Sequence, residues 1–189
     1  MRNLKCVVVG DGDVGKTSLL VSYTQDIFPT NYLPTTYDNY SVTLVTEGTL
    51  VNLGINDTSR TTDRTTAYNG VDVFLLCYSV TDPESYANVR NKWYPELHSH
   101  SPKTPIVLVG TKTDTRTDSV IVKALKRRSW KAVSRNKGVK LMKDISAVRY
   151  LECSAMSRKG LKKVFDTVAR TALNPNTVHK QDKHFCSFM

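Results

Sequence analysis

The 189-residue sequence lacks any apolar run able to cross a bilayer: its longest, Val73 to Val80, is far short of the roughly twenty residues a spanning helix needs. A secretion-signal core is not expected either. Arg2 and Lys5 precede only Cys6-Val7-Val8-Val9 before Gly10 and Asp11 interrupt the run. Cysteine is sparse, and Cys6, Cys77, Cys153 and Cys186 show no paired spacing. That excludes a disulfide framework and a zinc ribbon, and predicts reduced thiols in a cytosolic compartment. Internal repeats and low-complexity tracts are missing too. Acid is the remaining shortage: 17 Asp and Glu stand against 27 Lys and Arg, a formal net charge of +10. Such a surplus predicts a phosphate ligand, a polyanion or an anionic membrane as partner. With 40% hydrophobic and 23% charged residues, the composition is that of one globular domain with a sizeable core.

Leu4 to Val9 is a β-branched run ending at a glycine-rich turn, so it reads as a buried parallel strand. Lys16 to Tyr23 has helical character. Thr24 to Asn39, with Pro29 and Pro34, reads as a long loop, and loops of that length are usually functional. Tyr40 to Val45 and Thr49 to Ile55 flank Glu47-Gly48 as a hairpin. Asp57 to Asn69 is polar without a hydrophobic period and reads as a loop. Val71 to Val80, Pro105 to Gly110 and Val148 to Cys153 are further strands. Between the first two, a helix opens at Pro83 with Val89, Trp93 and Leu97 on one face. A closing helix runs from Gly160 to Leu173. Strands alternating with helices predict an α/β fold, a mostly parallel six-stranded sheet covered on both faces. The domain is expected over 1–173, and 174–189 reads as a flexible tail.

Gly10-Asp11-Gly12-Asp13-Val14-Gly15-Lys16-Thr17 fits G-x-x-x-x-G-K-[ST] between a predicted strand and a predicted helix. Gly10 and Gly15 allow the backbone to wrap a polyphosphate, with amide N–H groups and a helix N-terminus aimed at its charge. Lys16 would reach the β- and γ-phosphates, and the Thr17 hydroxyl would ligate Mg2+. Thr111-Lys112-Thr113-Asp114 follows a predicted strand at the carboxyl end, where open α/β sheets bind ligands. A carboxylate there accepts from guanine N1–H and N2–H, whereas adenine presents an unprotonated N1 and is repelled. Glu152-Cys153-Ser154-Ala155 after a later strand strengthens the reading.

These segments, with Tyr32-Leu33-Pro34-Thr35-Thr36-Tyr37-Asp38-Asn39-Tyr40, Trp93-Tyr94-Pro95-Glu96-Leu97 and Cys186-Ser187-Phe188-Met189, resemble a Rho-family small GTPase of the Rac-like group. The resemblance implies a P-loop GTPase fold that binds GTP or GDP with Mg2+. It implies nucleotide contacts from Gly10 through Ser18 and from Phe28, Tyr32, Thr35, Asp57, Thr111, Lys112, Asp114, Ser154 and Ala155. Phe28 would cover the guanine ring, unless it is ordinary core packing. Thr17 and Thr35 would be the metal ligands, with Asp57 acting through water. Thr35, Thr36, Tyr37, Asp38, Asn39 and Tyr40 would form the first switch, the surface for effector proteins. A monomer is implied, with an exchange factor as a further partner, in signalling tied to cytoskeleton and vesicle traffic. Residues 115–135 would be the Rho-type insert.

The resemblance breaks in the second switch. Where the family reads D-T-A-G-Q-E, this chain has Asp57-Thr58-Ser59-Arg60-Thr61-Thr62. Arg60 stands for the glycine whose N–H meets the γ-phosphate, and Thr61 for the glutamine that orients the attacking water. No intact catalytic group is therefore expected, and hydrolysis should be very slow while binding persists. Rescue by Arg60 as an arginine finger in cis, or by Asp63, is the weaker reading. Two rivals stay open: an ordinary cycling GTPase, and a nucleotide-free interaction scaffold. Asp13 replaces a small residue in the loop. Its carboxylate either faces the phosphates and weakens binding, or turns to solvent and is inert.

Cys186-Ser187-Phe188-Met189 is a C-a-a-X end, and a terminal Met favours farnesyl. One prenyl chain needs a second signal for stable anchoring. Lys123, Lys126, Arg127, Arg128, Lys131, Arg135, Lys137, Lys140 and Lys143 form an acid-free basic run. That run, assigned to the insert, is either a solvated helix face or the means by which the basic insert supplies the second contact with an anionic membrane. Nucleic acid is not expected, since no aromatic platform accompanies the charge. The cytoplasmic face of internal membranes such as Golgi or endosomes is expected over the plasma membrane, with a cytosolic pool.

Overall fold

The structure, a computed structural model, describes residues 1–29, 38–58 and 64–175. Strand β1 (Arg2–Val9) leads through the glycine-rich turn into helix α1 (Lys16–Thr24). β2 (Asp38–Thr46) and β3 (Thr49–Asp57) form the antiparallel hairpin, followed later by β4 (Val73–Ser79). Helices α2 (Pro83–Asn88) and α3 (Tyr94–His100) precede β5 (Ile106–Thr111). Helices α4 (Ser119–Arg127) and α5 (Arg135–Asp144), strand β6 (Arg149–Glu152) and helix α6 (Leu161–Leu173) complete the described chain. The six strands lie in the order β2-β3-β1-β4-β5-β6, parallel except for β2. The expected α/β architecture is present.

The period of two along the central strands divides the core into two layers. Cys6 and Val8 of β1 join Leu75 and Cys77 of β4 on one face, covered by Leu19 and Leu20 of α1 and Val164, Phe165 and Val168 of α6. Val7 and Val9 join Phe74, Leu76 and Tyr78 on the other, under Val89, Trp93, Leu97 and Leu141. Full burial of each such Val, Leu or Phe side chain contributes about 1.5–3 kcal/mol, so both faces must be covered for the sheet to persist. Cys6, Cys77 and Cys153 are free and buried. Among the described residues no helix is long and apolar enough to cross a membrane.

Three expectations need correction. The polar stretch 57–69 is not wholly loop: Asp57 ends β3, and Arg64–Tyr68 form a 3-10 turn. The helix from Pro83 is not continuous, because Val89–Trp93 form a π turn between α2 and α3. Pro95 has no N–H to give to the carbonyl four residues back, and the π turn absorbs that break with Tyr94 N–H bonding Val89 O. The basic run 123–143 is not confined to the insert. It spans α4 and α5, and α5 buries Gly138 and Leu141 in the fold proper.

Candidate nucleotide site

The turn after β1 is shaped by its neighbours. Gly10 has φ +141, and a Cβ there would sit 2.2 Å from the Cys77 carbonyl oxygen, so no side chain fits. Gly15 caps α1 at φ 94, also left-handed. Thr111 at the end of β5 donates its hydroxyl hydrogen toward the Val14 carbonyl, 2.5 Å away, with the Tyr78 carbonyl at 3.0 Å. Asp11 turns its carboxylate away from the loop cradle and accepts from Asn88 Nδ2 at 2.7 Å and Trp93 Nε1 at 2.8 Å. The loop is thus held by β4, β5 and the α2–α3 segment before any ligand arrives.

Inside the cradle, Lys16 is 4% exposed and donates from Nζ to the carbonyls of Gly10 and Asp11, at 2.8 and 2.6 Å. Burial pushes its pKa down, against an opposing pull from Asp57. Beside it, Thr17 Oγ1 donates to Oδ2 of the fully buried Asp57 at 2.7 Å. A buried ammonium ringed by backbone groups fits a polyphosphate. The hydroxyl and carboxylate oxygens next to it are the hard donors Mg2+ takes. The donor set fits both groups.

A cavity of about 250 Å³ adjoins the loop, walled by Gly15, Ser18, Phe28, Lys112, Asp114 and Ala155 among others. Lys112, itself at φ 56, lays its stem over Gly15, where an added Cβ would lie 3.5 Å from Lys112 Cε. Phe28 is 41% exposed on this wall, which removes the core-packing reading. The two loops that floor the cavity are tied together. Thr113 N–H donates to the Cys153 carbonyl at 3.2 Å. Arg116 grips Glu152 with both terminal nitrogens, at 2.7 and 3.1 Å, and also reaches the Val133 carbonyl at 3.0 Å. Burial alone would push the Glu152 carboxyl up, but hydrogen bonds from Arg116 and Tyr150 outweigh it and hold it below the ordinary range. Ser154 is buried, its Oγ accepting from Ser157 N–H at 3.0 Å.

The structure therefore brings together Gly10 to Ser18, Phe28, Asp57, Thr111, Lys112, Asp114, Ser154 and Ala155 at the carboxyl ends of the strands. Asp13 is exposed at φ 60. Of the effector stretch, Asn39 and Tyr40 lie in edge strand β2, and only the backbone of Asp38 is described. Tyr32, Thr35, Thr36, Tyr37, Arg60, Thr61 and Cys186 lie outside the described residues. Sequence reasoning missed Asn88, Trp93 and Arg116 as anchors of the site. Trp93 reads as core from its spacing, and nothing in the sequence pairs it with Asp11.

The strand order, with a glycine-rich turn leading from the central strand into a helix and a base-sized cavity beside it, defines a P-loop nucleotide-binding fold. The Ras family model matches residues 5–174, and the chain belongs to the Ras family of small GTPases. Members of that family in general bind guanine nucleotide with Mg2+ and act as switches through effectors and exchange factors.

Proposed function

We propose that the chain is a Rho-type, Rac-like switch that binds GTP and GDP with Mg2+ and hydrolyses GTP very slowly. The observation that carries base choice is Asp114, set with Phe28 and Lys112 around a cavity that Gly15 joins to the phosphate loop. In this reading Phe28 and Lys112 sandwich the base, and Asp114 accepts from its ring N–H and amino group. Lys16 would neutralise the phosphates, Thr17 and Thr35 would hold Mg2+, and Asp57 would act on it through water. When bound, the metal supplies charge neutralisation at the phosphates. Thr35 to Tyr40 present the effector surface.

Slow hydrolysis follows from the second switch. Phosphoryl transfer depends on positioned water and stabilised charge, and Arg60 and Thr61 replace the two family residues that supply them. Such a protein signals while GTP-loaded, and its control passes to abundance and location. Farnesylation at Cys186 would place it on the cytoplasmic face of internal membranes, with a cytosolic pool.

Nucleotide content of the purified chain and calorimetric titration with GTP, GDP and ATP test the binding reading. Retained guanine nucleotide and no measurable ATP binding are expected. Equal affinity for ATP would contradict the role of Asp114, and an empty protein that binds none of the three would leave a scaffold.

A further inference from the structure

Asp11 joins the turn after β1 to the α2–α3 segment, and its two polar groups point to different partners. Its main-chain carbonyl accepts from Lys16 Nζ at 2.6 Å. Its carboxylate accepts from Asn88 Nδ2 through Oδ2 at 2.7 Å and from Trp93 Nε1 through Oδ1 at 2.8 Å. Lys92 Nζ stands 4.0 Å from Oδ1 and lies over the Trp93 ring, 4.8 Å from its centre. Both carboxylate oxygens are therefore held, and the side chain is only 17% exposed. The charge is still close to the cradle. Burial lowers the Lys16 pKa, and Asp11 is among the groups that pull against that lowering.

The π turn between α2 and α3 makes this double hold possible. Asn88 and Trp93 are five residues apart, a spacing that puts side chains about 140° apart around a regular α-helix. Here Tyr94 N–H bonds Val89 O, five residues back, and the wider turn reduces that offset. The two donors reach one carboxylate. Trp93 is 4% exposed and packs with Val89, Leu97 and the β4 residues Phe74, Leu76 and Tyr78, so the core fixes its indole. Pro95 explains why the helix breaks, and the paired contact with Asp11 is what the break achieves.

We propose that Asn88 and Trp93 are positioning residues of the nucleotide site: they hold the Asp11 carboxylate away from the bound phosphates and thereby slow nucleotide release. The inference rests on the reading of the turn after β1 as a polyphosphate cradle. Without its two donors, Asp11 swings free on the loop that wraps the phosphates, and its charge opposes theirs. A like charge close to an ionised group shifts its equilibrium by a power of ten or more. Asp13 differs, because it is exposed and screened by solvent. The α2–α3 segment thus acts on the site through charge as well as through packing.

The test follows release of a fluorescent GDP analogue by stopped flow from the full chain, in the parent, N88A/W93F, D11N and N88A/W93F/D11N. Trp93→Phe keeps an aromatic ring in the core and removes the indole N–H. Loss of both donors should speed release at least about tenfold with Asp11 in place. In the D11N background the same two changes should alter release by less than about threefold, because the side chain set free is neutral. Thermal unfolding checks each fold. Should W93F unfold the chain, N88A alone carries the test, with about threefold faster release beside Asp11 and less than about 1.5-fold in the D11N background. Equal acceleration in both backgrounds would reduce the two residues to packing and overturn the proposal, as would unchanged or slower release with Asp11 in place. Calorimetric titration with tripolyphosphate repeats the comparison without a base. N88A/W93F should bind it about tenfold more weakly than the parent, and within about threefold of D11N when Asp11 is neutralised. A parent that binds tripolyphosphate but not GDP would count against the guanine reading alone, and the tripolyphosphate comparison then decides the proposal. A parent that binds neither would overturn both.

Discussion

Lys16 carries a charge at a site where burial disfavours it, and only two backbone carbonyls partner its Nζ among the described residues. Until an anion arrives, the ammonium destabilises the fold. Its pKa is lowered, so the unfolded chain binds more protons between that lowered value and the ordinary lysine value of about 10.4. The nucleotide-free protein should therefore become more stable as pH rises through that interval. Lys16→Met is expected to leave the nucleotide-free melting temperature unchanged or higher, while weakening guanine nucleotide binding at least about a hundredfold through lost charge-assisted bonds. A variant that melts lower without nucleotide yet still binds would contradict this role. Asp13 offers a second test at this scale. Ala at φ 60 would be strained, whereas Asn tolerates the left-handed region and removes only the charge. The carboxylate is exposed, so its repulsion is screened, and Asp13→Asn should leave GDP release within about twofold. Slowing by about tenfold in stopped-flow fluorescence would place the carboxylate against the phosphates.

The elements around the cavity are locked by a buried polar chain. Tyr78 Oη and Tyr150 Oη share a hydrogen bond at 2.7 Å, Tyr150 donates to Glu152 Oε1 at 2.7 Å, and Arg116 closes the chain from the segment before α4. It joins β4, β6 and the loop carrying Asp114. Tyr150→Phe would leave the Tyr78 hydroxyl buried without its partner, costing about 1–3 kcal/mol. For a chain of this length that lowers the melting temperature by roughly 2–4 °C per kcal/mol. Adding Tyr78→Phe should restore part of the loss, because both polar groups then go together. Strictly additive losses would show that the two hydroxyls are not coupled. None of this chain is legible in the sequence, where Tyr78 and Tyr150 look like ordinary strand aromatics. The strands themselves are legible, since β-branched runs bounded by glycine or proline have one stable arrangement in a covered sheet. Strand and helix ends differ from expectation by a residue or two. The π turn escapes notice because Val89, Trp93 and Leu97 keep a helical spacing straight through it. Pro95 is the signal that marks it.

Across the whole molecule, the ligand-facing part of the site is written in short motifs whose residue types are set by chemistry. Lys16, Thr17, Lys112 and Asp114 of the motifs, with Phe28 of the resemblance, meet at the turn after β1 and the cavity beside it. What holds the motifs in place is not so written. Trp93 meets Asp11, and Arg116 meets Glu152, across separations along the chain that leave no local pattern. Charge is similar: the basic run 123–143 dominates the sequence, whereas a cavity of about 540 Å³ beside α6 gathers cations from three separate segments, α5, β6 and α6. The family match covers residues 5–174, and the proposed departure lies in the second switch. The described turn after β1 holds Lys16 and Thr17 in place, while in the proposed reading Arg60 and Thr61 take the places of the residues that manage water. The account's central claim is binding without efficient turnover, and single-turnover hydrolysis of preloaded GTP measures it directly. The expected result is stable GTP loading with hydrolysis far slower than in a Rac-like protein carrying glycine and glutamine at these positions, and no acceleration by a Rho-type activating protein. Ordinary turnover once that partner is added would contradict it.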